Sequence, residues 1–179
     1  MANTNSPNGF VPAYHMSGGT IRPSEFAIAS ATDASIFSGD VVLLSSGYVI
    51  QGTATGAPLG VFAGVEYQKT DGSVVFSNTW TADTATLGSA DAKAYVYADP
   101  DIVYEAQGSA TPTQATVGTT NTITTTAGSS TTGRSAEGVT ATTSSGIATV
   151  VGFVQRPNNA IGQYARMYVI FPTSAFGNN

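Results

Sequence analysis

The amino-acid sequence predicts an all-β fold, either a compact β-sandwich or a β-barrel. Its apolar residues occur in short alternating runs, and turn-favouring residues interrupt these runs about every 8 to 12 positions. The apolar residues are rich in valine, isoleucine, phenylalanine and tyrosine, which pack well on a pleated sheet. Patterns with the period of an α-helix are rare. Together these observations are typical of folds built from many short strands.

Length and charge limit the possible architectures and partners. The 179 residues suit one domain with an arm or an insertion. Six basic and eleven acidic residues give a formal net charge of −5. An acidic chain without a basic run argues against nucleic-acid binding, which depends on lysine and arginine. The chain has no cysteine, so disulfides and thiolate metal sites are excluded.

The sequence predicts neither a secretory signal nor a membrane span. Its N-terminus lacks a cationic start followed by an apolar stretch. No window approaches the roughly 18 apolar residues that a spanning helix needs. We therefore expect a protein that is made in the cytoplasm and does not bind a membrane.

Residues 1–22 are predicted to form an extended N-terminal arm. Prolines and glycines interrupt this segment and work against a regular helix or strand ladder. The apolar side chains between them favour an arm that lies on a neighbouring protein surface over a frayed tail. The candidate interface residues are Phe10, Val11, Pro12, Tyr14 and Met16. An arm of this kind predicts that its removal abolishes binding and barely changes the melting temperature of the free protein.

Residues 23–179 are predicted to form a single β-domain. The first strands are expected at Glu25–Ser30, Val41–Leu44 and Tyr48–Gln51. A Ser-Ser-Gly turn joins the last two of these strands. Two more strands are predicted near the C-terminus, within residues 146–156 and 165–171.

The clearest local signal is a β-hairpin that runs from Pro58 to Trp80. Two alternating apolar runs flank Lys69-Thr70-Asp71-Gly72, and Asp-Gly supplies the positive φ angles of tight hairpin turns. The core residues predicted on its strands are Val61, Val65, Phe76 and Trp80.

A second hairpin is predicted from strands Ala94–Tyr97 and Ile102–Gln107. These strands are expected to turn at Asp99-Pro100-Asp101, where proline suits the first corner of a type I turn. Between the two hairpins, residues 81–93 are the one place where the sequence is compatible with a short helix.

Residues 111–146 differ from the rest of the chain because about half of them are threonine or serine. Such a segment offers little to a core. It is either a disordered loop or, in the reading we favour, a pair of polar and exposed strands.

Reactive side chains are scarce, and the sequence predicts no enzyme, no cofactor and no metal. His15 is the only histidine, with no acidic residue before Glu25, so we expect a surface or interface histidine rather than a catalytic base. Asp99 and Asp101 can in principle bind calcium, but turn chemistry explains them by itself. The glycine-rich segment 52–60 lacks the lysine of a phosphate-binding loop.

The remaining residues that can bind a ligand are aromatic. They can form a platform for a sugar, although aromatic side chains on strands more often serve as core or interface anchors. These residues are Trp80, Tyr95, Tyr97, Tyr104, Tyr164 and Tyr168.

Several motifs resemble those of capsid decoration proteins from tailed bacteriophages, also called cement or head-stabilising proteins. "GDVVLLSSGYVIQGTATGAPLGVFAGVEY" is similar to the core motif of that family. The opening "MANTNSPNGFVPAYHMSGGTIRPSEFAIAS" is similar to the start of a group of small phage structural proteins. "VVFSNTW", "AYVYADPDIVYEAQ" and "VVGFVQRP" extend the resemblance toward the C-terminus.

The resemblance implies a non-enzymatic, β-tulip-like protein that binds the outer surface of an assembled capsid. Its partners are then the major capsid protein and further copies of itself, with a homotrimer favoured over a dimer. Its location is the outside of the virion. The alternatives are another virion component (a head fibre base or a tail accessory protein), a carbohydrate-binding β-sandwich, and an adhesin with an internal isopeptide bond at Lys69 or Lys93.

Overall fold

The structure is a computed structural model that describes residues 3–140 and 146–176. It is all-β, which confirms the predicted fold class. Within the described residues, the only helical segments are two single 3₁₀ turns, Leu87–Ser89 and Gln114–Thr116. The strands are β1 (Val11–His15), β2 (Ser24–Ile28), β3 (Ile36–Phe37), β4 (Val41–Ser45), β5 (Tyr48–Gln51), β6 (Gly60–Gln68), β7 (Val74–Ser77), β8 (Thr79–Trp80), β9 (Ala92–Tyr97), β10 (Ile102–Gln107), β11 (Thr120–Asn121), β12 (Ile123–Thr124), β13 (Gly138–Val139), β14 (Ala148–Phe153) and β15 (Arg166–Ile170).

Five strands close into a barrel in the order β4-β5-β2-β9-β6, because β6 also pairs with β4. β7 pairs with β6 and is the terminal strand of this sheet. Neighbouring strands are antiparallel except β2 and β5, which run parallel and pair at Ala27 and Tyr48. Closure removes free strand edges from the barrel itself and leaves β7 as the strand with an open side.

Apolar side chains fill the barrel and pack around Trp80. The Trp80 ring is fully buried, and it meets Tyr67 edge-on with 5.5 Å between the ring centroids. The predictions that Val65 and Trp80 belong to the core are confirmed. The buried members of this first core are Ile28, Ile36, Val42, Val49, Leu59, Phe62, Val65, Trp80, Ala92, Ala94, Val96 and Ala98.

A second, antiparallel sheet has the strand order β1-β10-β15-β14-β11. It covers a second core, to which the barrel strands β4 and β6 contribute Val41 and Val61, so the predicted burial of Val61 is also confirmed. The buried members of this second core are Phe10, Val41, Val61, Ile102, Tyr104, Ala106, Ile123, Val139, Ile147, Ala148, Val150, Phe153, Ala165, Met167, Val169 and Phe171.

The predicted hairpin of β6 and β7 is confirmed, but the predicted burial of Phe76 is wrong. Lys69 N–H donates to the Ser73 carbonyl oxygen at 2.8 Å, and Gly72 has a φ of +89°. The Phe76 side chain is 72% exposed. It stands opposite Glu66 on the outer side of the barrel, because paired residues on antiparallel strands point to the same face.

The prediction that β9 and β10 form a second hairpin is wrong, although both strands exist. β9 pairs with β2 and β6 in the barrel, whereas β10 pairs with β1 and β15 in the second sheet. The Asp99-Pro100-Asp101 turn therefore carries the chain from one sheet to the other. The Tyr104 hydroxyl still donates to the Tyr97 carbonyl oxygen at 2.9 Å, which links the two strands across this crossing.

Two further segments differ from the sequence predictions. Within residues 81–93, where a short helix was compatible with the sequence, only the 3₁₀ turn at Leu87–Ser89 forms. In the Thr/Ser-rich segment, β12 and β13 do form a strand pair, but Ile123 and Val139 on it are buried rather than exposed. The segment covers the second core, so its few aliphatic residues have apolar neighbours. Residues 141–145 lie outside the described part.

Candidate interaction surface

The structure places the five sequence-predicted interface residues in three different environments. Tyr14 is 43% exposed and Met16 is 58% exposed, whereas Val11 and Pro12 are half-buried. Phe10 is 1% exposed, and its ring packs on Phe171 in the second core. The expectation that Phe10 contacts another protein is therefore corrected: its side chain is already covered by its own chain.

Phe10 enters the core because the backbone before it makes a close turn. Gly9 has a φ of +67° and approaches Gly39 so closely that a Cβ atom would lie 2.6 Å from the Gly39 carbonyl oxygen. The Phe10 N–H then donates to that same oxygen at 2.9 Å. A glycine suits this position because it tolerates positive φ and has no side chain to collide.

β1 belongs to the second sheet and does not project from the molecule as an arm. Val11 pairs with Glu105 on β10, and a bulge between Pro12 and Tyr14 shifts the register. At the other end, Met16 N–H donates to the Asp101 carbonyl oxygen at 2.9 Å. Both ends of the strand are therefore held, and the exposed side chains between them have a defined position.

The outer face of this sheet carries an aromatic pair beside a charge cluster. The Tyr14 ring meets Tyr168 on β15 edge-on, with 5.5 Å between the centroids. Tyr168 stands opposite Glu105, and Glu105 stands opposite Val11, so these three residues share one face. We call Val11, Tyr14, Met16, Glu105 and Tyr168 the β1 surface.

Glu105 is bound by two arginines at the border of the β1 surface. Arg156 donates to both carboxylate oxygens, at 3.0 and 2.8 Å, and Arg166 Nη1 lies 3.4 Å from Oε1. Arg166 Nη2 also donates to the Ser6 carbonyl oxygen at 2.9 Å. This two-pronged geometry is the strongest form of an arginine–carboxylate pair, and it gives the surface a polar rim.

His15 has an acidic partner that its sequence neighbourhood does not reveal. Its Nε2 lies 3.0 Å from Asp99 Oδ2, although the two residues are 84 positions apart. Its Nδ1 accepts the Ser17 N–H at 3.3 Å, so the ring proton lies on Nε2 and is donated to Asp99. This hydrogen bond lowers the pKa of the Asp99 carboxyl, with a smaller contribution from the Asp101 N–H.

His15, Asp99 and Asp101 place three potential metal ligands within 4.8 Å of one another. The hydrogen bonds explain this cluster without a metal. His15 Nε2 carries a proton and has no free lone pair, and Asp99 Oδ1 accepts the Asp101 N–H at 2.9 Å as a turn-forming aspartate does. The cluster fixes the end of β1 to the crossing between the two sheets.

A second titratable pair lies deep in the molecule, where the Thr/Ser-rich segment meets the barrel. Glu137 and Asp40 are each 1% exposed. Glu137 Oε2 accepts the Val41 N–H at 2.8 Å, and Asp40 Oδ2 accepts the Phe37 N–H at the same distance. Burial and the neighbouring Asp40 raise the pKa of Glu137 to about 9. Burial also raises the pKa of Asp40, opposed by hydrogen bonds from Ser135 and Phe37.

Sequence reasoning named Tyr14 and Met16 as interface residues and Tyr168 as an aromatic candidate, but it did not bring Tyr168 and Glu105 together with them. Glu105, Arg156 and Tyr168 become neighbours only through the pairing of β10 with β1 and β15. No local spacing in the chain signals that pairing.

The sequence matches no protein-family model, and no curated protein or solved structure is significantly similar to it. Among the described residues, no helix has the length and apolar character needed to cross a membrane.

Proposed function

We propose that this protein is a non-enzymatic capsid decoration protein of a tailed bacteriophage. In this role it binds the outer surface of an assembled capsid and stabilises the junctions between capsomers. Its partners are the major capsid protein and further copies of itself, arranged as a homotrimer. The proposal combines the resemblance of the sequence motifs with the geometry of the β1 surface.

The observation that carries the proposal is the exposure of Tyr14 on β1 and of Met16 directly after it, in a segment that is held at both ends. Exposed aromatic and methionine side chains are enriched at the centres of protein interfaces. A fixed strand loses little conformational freedom when it binds, so more of the contact energy contributes to affinity. The arginine–glutamate cluster beside it has the position of a polar rim.

The proposed role also suits a protein with few charged groups and a rigid all-β scaffold. Contacts across several capsomers add avidity when one oligomer can engage them together. A standard interface buries about 1,600 Å² in total, which several small patches of one oligomer can supply jointly.

The test is co-sedimentation with undecorated, expanded capsids of the virus that encodes the chain. The wild-type protein is expected to sediment with the shells. A double variant, Tyr14→Ser with Met16→Ser, is expected to bind at least tenfold more weakly while its unfolding midpoint stays close to that of the wild type. Leu44→Ser is the matched control, because Leu44 is 38% exposed on a barrel strand that is not part of the β1 surface.

Wild-type protein that stays in the supernatant would contradict the proposal. So would binding confined to phage tails, or binding to glycans that depends on Tyr14. The stoichiometry follows from the mass of the free protein in light scattering, where three chains per particle are expected.

A further inference from the structure

Phe76 and Val74 form an exposed apolar pair that the β1 surface does not include. Their side chains are 72% and 57% exposed, and both lie on β7, the terminal strand of the barrel sheet. They point to the same face because they are two positions apart on a strand. Natural proteins usually protect such a strand with charge or proline, and neither residue type occurs in β7.

A groove with a volume of about 290 Å³ lies on the same side of the hairpin as Val74. Val74 gives it an apolar wall, and Tyr67 also contributes to the lining. Three charged residues, Glu66, Asp91 and Lys93, line the rest of it. They do so together with Gln68, Thr86 and Ala90. The groove therefore combines apolar surface for a hydrocarbon stem with carboxylates for a charged end.

The charge at this site is negative. Lys93 Nζ lies 3.6 Å from Glu25 and 4.0 Å from Glu66, and the Tyr95 hydroxyl donates to Glu66 Oε2 at 2.8 Å. The groove lining carries two carboxylates, Glu66 and Asp91, against the ammonium group of Lys93, which leaves a net charge of −1. Glu25 lies beside Lys93 outside the lining and adds to the negative charge. Such a site attracts a cation and repels an acidic surface.

We propose that this face binds a basic segment of a partner protein. A lysine or arginine side chain of the partner enters the groove, with its stem along Val74 and its charge near Glu66 and Asp91. An apolar residue beside it packs on Phe76. This β7 surface is separate from the β1 surface, and the proposal does not depend on the proposed capsid function.

Charge complementarity also decides against a second copy of the chain as the occupant. A two-fold contact of β7 with β7 would bring two negatively charged sites face to face. Like charges opposed across an interface are unfavourable, and they suppress the wrong partner. A basic partner gains from the same charges.

The probe is a capped, fluorescein-labelled octapeptide in which valine and lysine alternate, measured by anisotropy with the full chain. A matched peptide in which valine and glutamate alternate tests the charge. We expect the lysine peptide to bind at least tenfold more tightly, and its affinity to fall as salt is raised. Equal binding of the two peptides, or undetectable binding of the lysine peptide, overturns the proposal.

Variants of the protein locate the binding. We expect Phe76→Ser to lower the affinity for the lysine peptide at least fivefold. The double variant Glu66→Gln with Asp91→Asn is expected to lower it by at least the same factor. Leu44→Ser and Asp33→Asn, which alter an exposed apolar residue and an exposed acid elsewhere, are expected to bind as the wild type does. Unfolding midpoints establish that each variant is folded.

Two outcomes contradict the proposal directly. One is wild-type affinity of the Phe76→Ser and Glu66→Gln/Asp91→Asn variants. The other is an oligomer that Phe76→Ser converts to monomers in sedimentation velocity, which would assign the β7 surface to a second copy of the chain. Failure of capsid binding in the earlier experiment leaves the peptide result unaffected, so the two proposals fail independently.

Discussion

The N-terminal segment and the β6–β7 hairpin both present aromatic residues, and they differ in what the rest of the chain does with them. Phe10 follows a proline- and glycine-rich stretch, yet its side chain is 1% exposed in the second core. Phe76 lies in the most regular hairpin of the sequence, yet its side chain is 72% exposed. Local regularity therefore predicts that a strand forms, but it does not predict which of its faces is covered.

The difference has a topological cause. Phe10 precedes a strand that pairs with β10, and the second core lies under that pair. Phe76 lies on the last strand of a barrel that is already closed by β4 and β6, so only the inner face of β7 has a core to meet. A strand added to a closed barrel necessarily leaves one face to solvent or to a partner.

The largest expected effect comes from exchanging the two phenylalanines for alanine in separate variants. Phe10→Ala removes a fully buried ring and is expected to lower the free energy of unfolding by about 3–5 kcal/mol. Phe76→Ala is expected to change it by no more than about 0.5 kcal/mol, because its ring is exposed. Urea unfolding measures both, and similar losses for the two variants would contradict the comparison.

The burial of Phe10 also changes the prediction for removal of the N-terminal segment, which the sequence predicted would barely change the melting temperature. A truncation of residues 1–20 removes Phe10 and β1 from the folded protein, so it is expected to destabilise the chain strongly. A melting temperature that stays unchanged after truncation would show that β1 contributes little to the second core.

Substitutions of Trp80 measure how much the first core contributes to stability. Trp80→Ala is expected to cost about 3–5 kcal/mol, because the ring is fully buried in the first core. Trp80→Phe is expected to cost much less than Trp80→Ala, since the buried Nε1 has no hydrogen-bond partner to lose. Chemical unfolding followed by circular dichroism compares the two variants, and equal losses would indicate an unrecognised partner for Nε1.

The buried carboxyl of Glu137 predicts that the stability of the protein depends on pH. Its pKa is about 9 in the folded protein, against an ordinary value of 4.5. Between these values the unfolded chain releases a proton that the folded chain keeps. The contribution of Glu137 to stability is therefore greatest below about pH 4.5 and declines as pH rises toward 9, by up to about 1.4 kcal/mol per pH unit.

The measurement is the free energy of unfolding in urea between pH 5 and pH 8. Glu137→Gln is expected to reduce the decline, leaving only the smaller share that comes from Asp40. Glu25→Gln, at an exposed carboxylate, is expected to leave the slope as it is in the wild type. An unchanged slope in Glu137→Gln would mean that Glu137 titrates normally.

The smallest expected effect concerns the contact between His15 and Asp99. Asp99→Asn is expected to cost about 0.2–1 kcal/mol at neutral pH, because the carboxylate is half exposed and water competes for its hydrogen bond from His15. The Asp99 pKa is lowered in the folded state, so this contribution is present above about pH 4 and is lost as pH falls through the folded value. Thermal unfolding at pH 7 and pH 3 compares the variant with the wild type, and an equal difference at both pH values would exclude a stabilising contact between His15 and the Asp99 carboxylate.

The sequence alone predicted most strands and the β4–β5 and β6–β7 hairpins, because alternation and turn residues are local signals. It did not predict that β9 and β10 separate into different sheets. That choice depends on the distant strands β2, β6, β1 and β15, which compete as partners.

The candidate sites were predictable to a similar extent. The sequence marked Tyr14 and Met16 as apolar residues in a segment interrupted by prolines and glycines. The acidic partner of His15, the arginines around Glu105 and the buried pair of Asp40 and Glu137 all join residues that are far apart in the chain. Asp40 in particular resembles an ordinary turn aspartate in sequence, and only the covering Thr/Ser-rich segment makes it buried.

The parallel contact between β2 and β5 has a consequence for how the barrel moves. These strands pair only at Ala27 and Tyr48, whereas β2 pairs with β9 over five consecutive positions. Few backbone hydrogen bonds therefore have to break for β2 and β5 to separate and for the barrel to open between them. Amide protons on either side of this contact should be the first in the barrel to exchange with deuterium, well before those shared by β6 and β9.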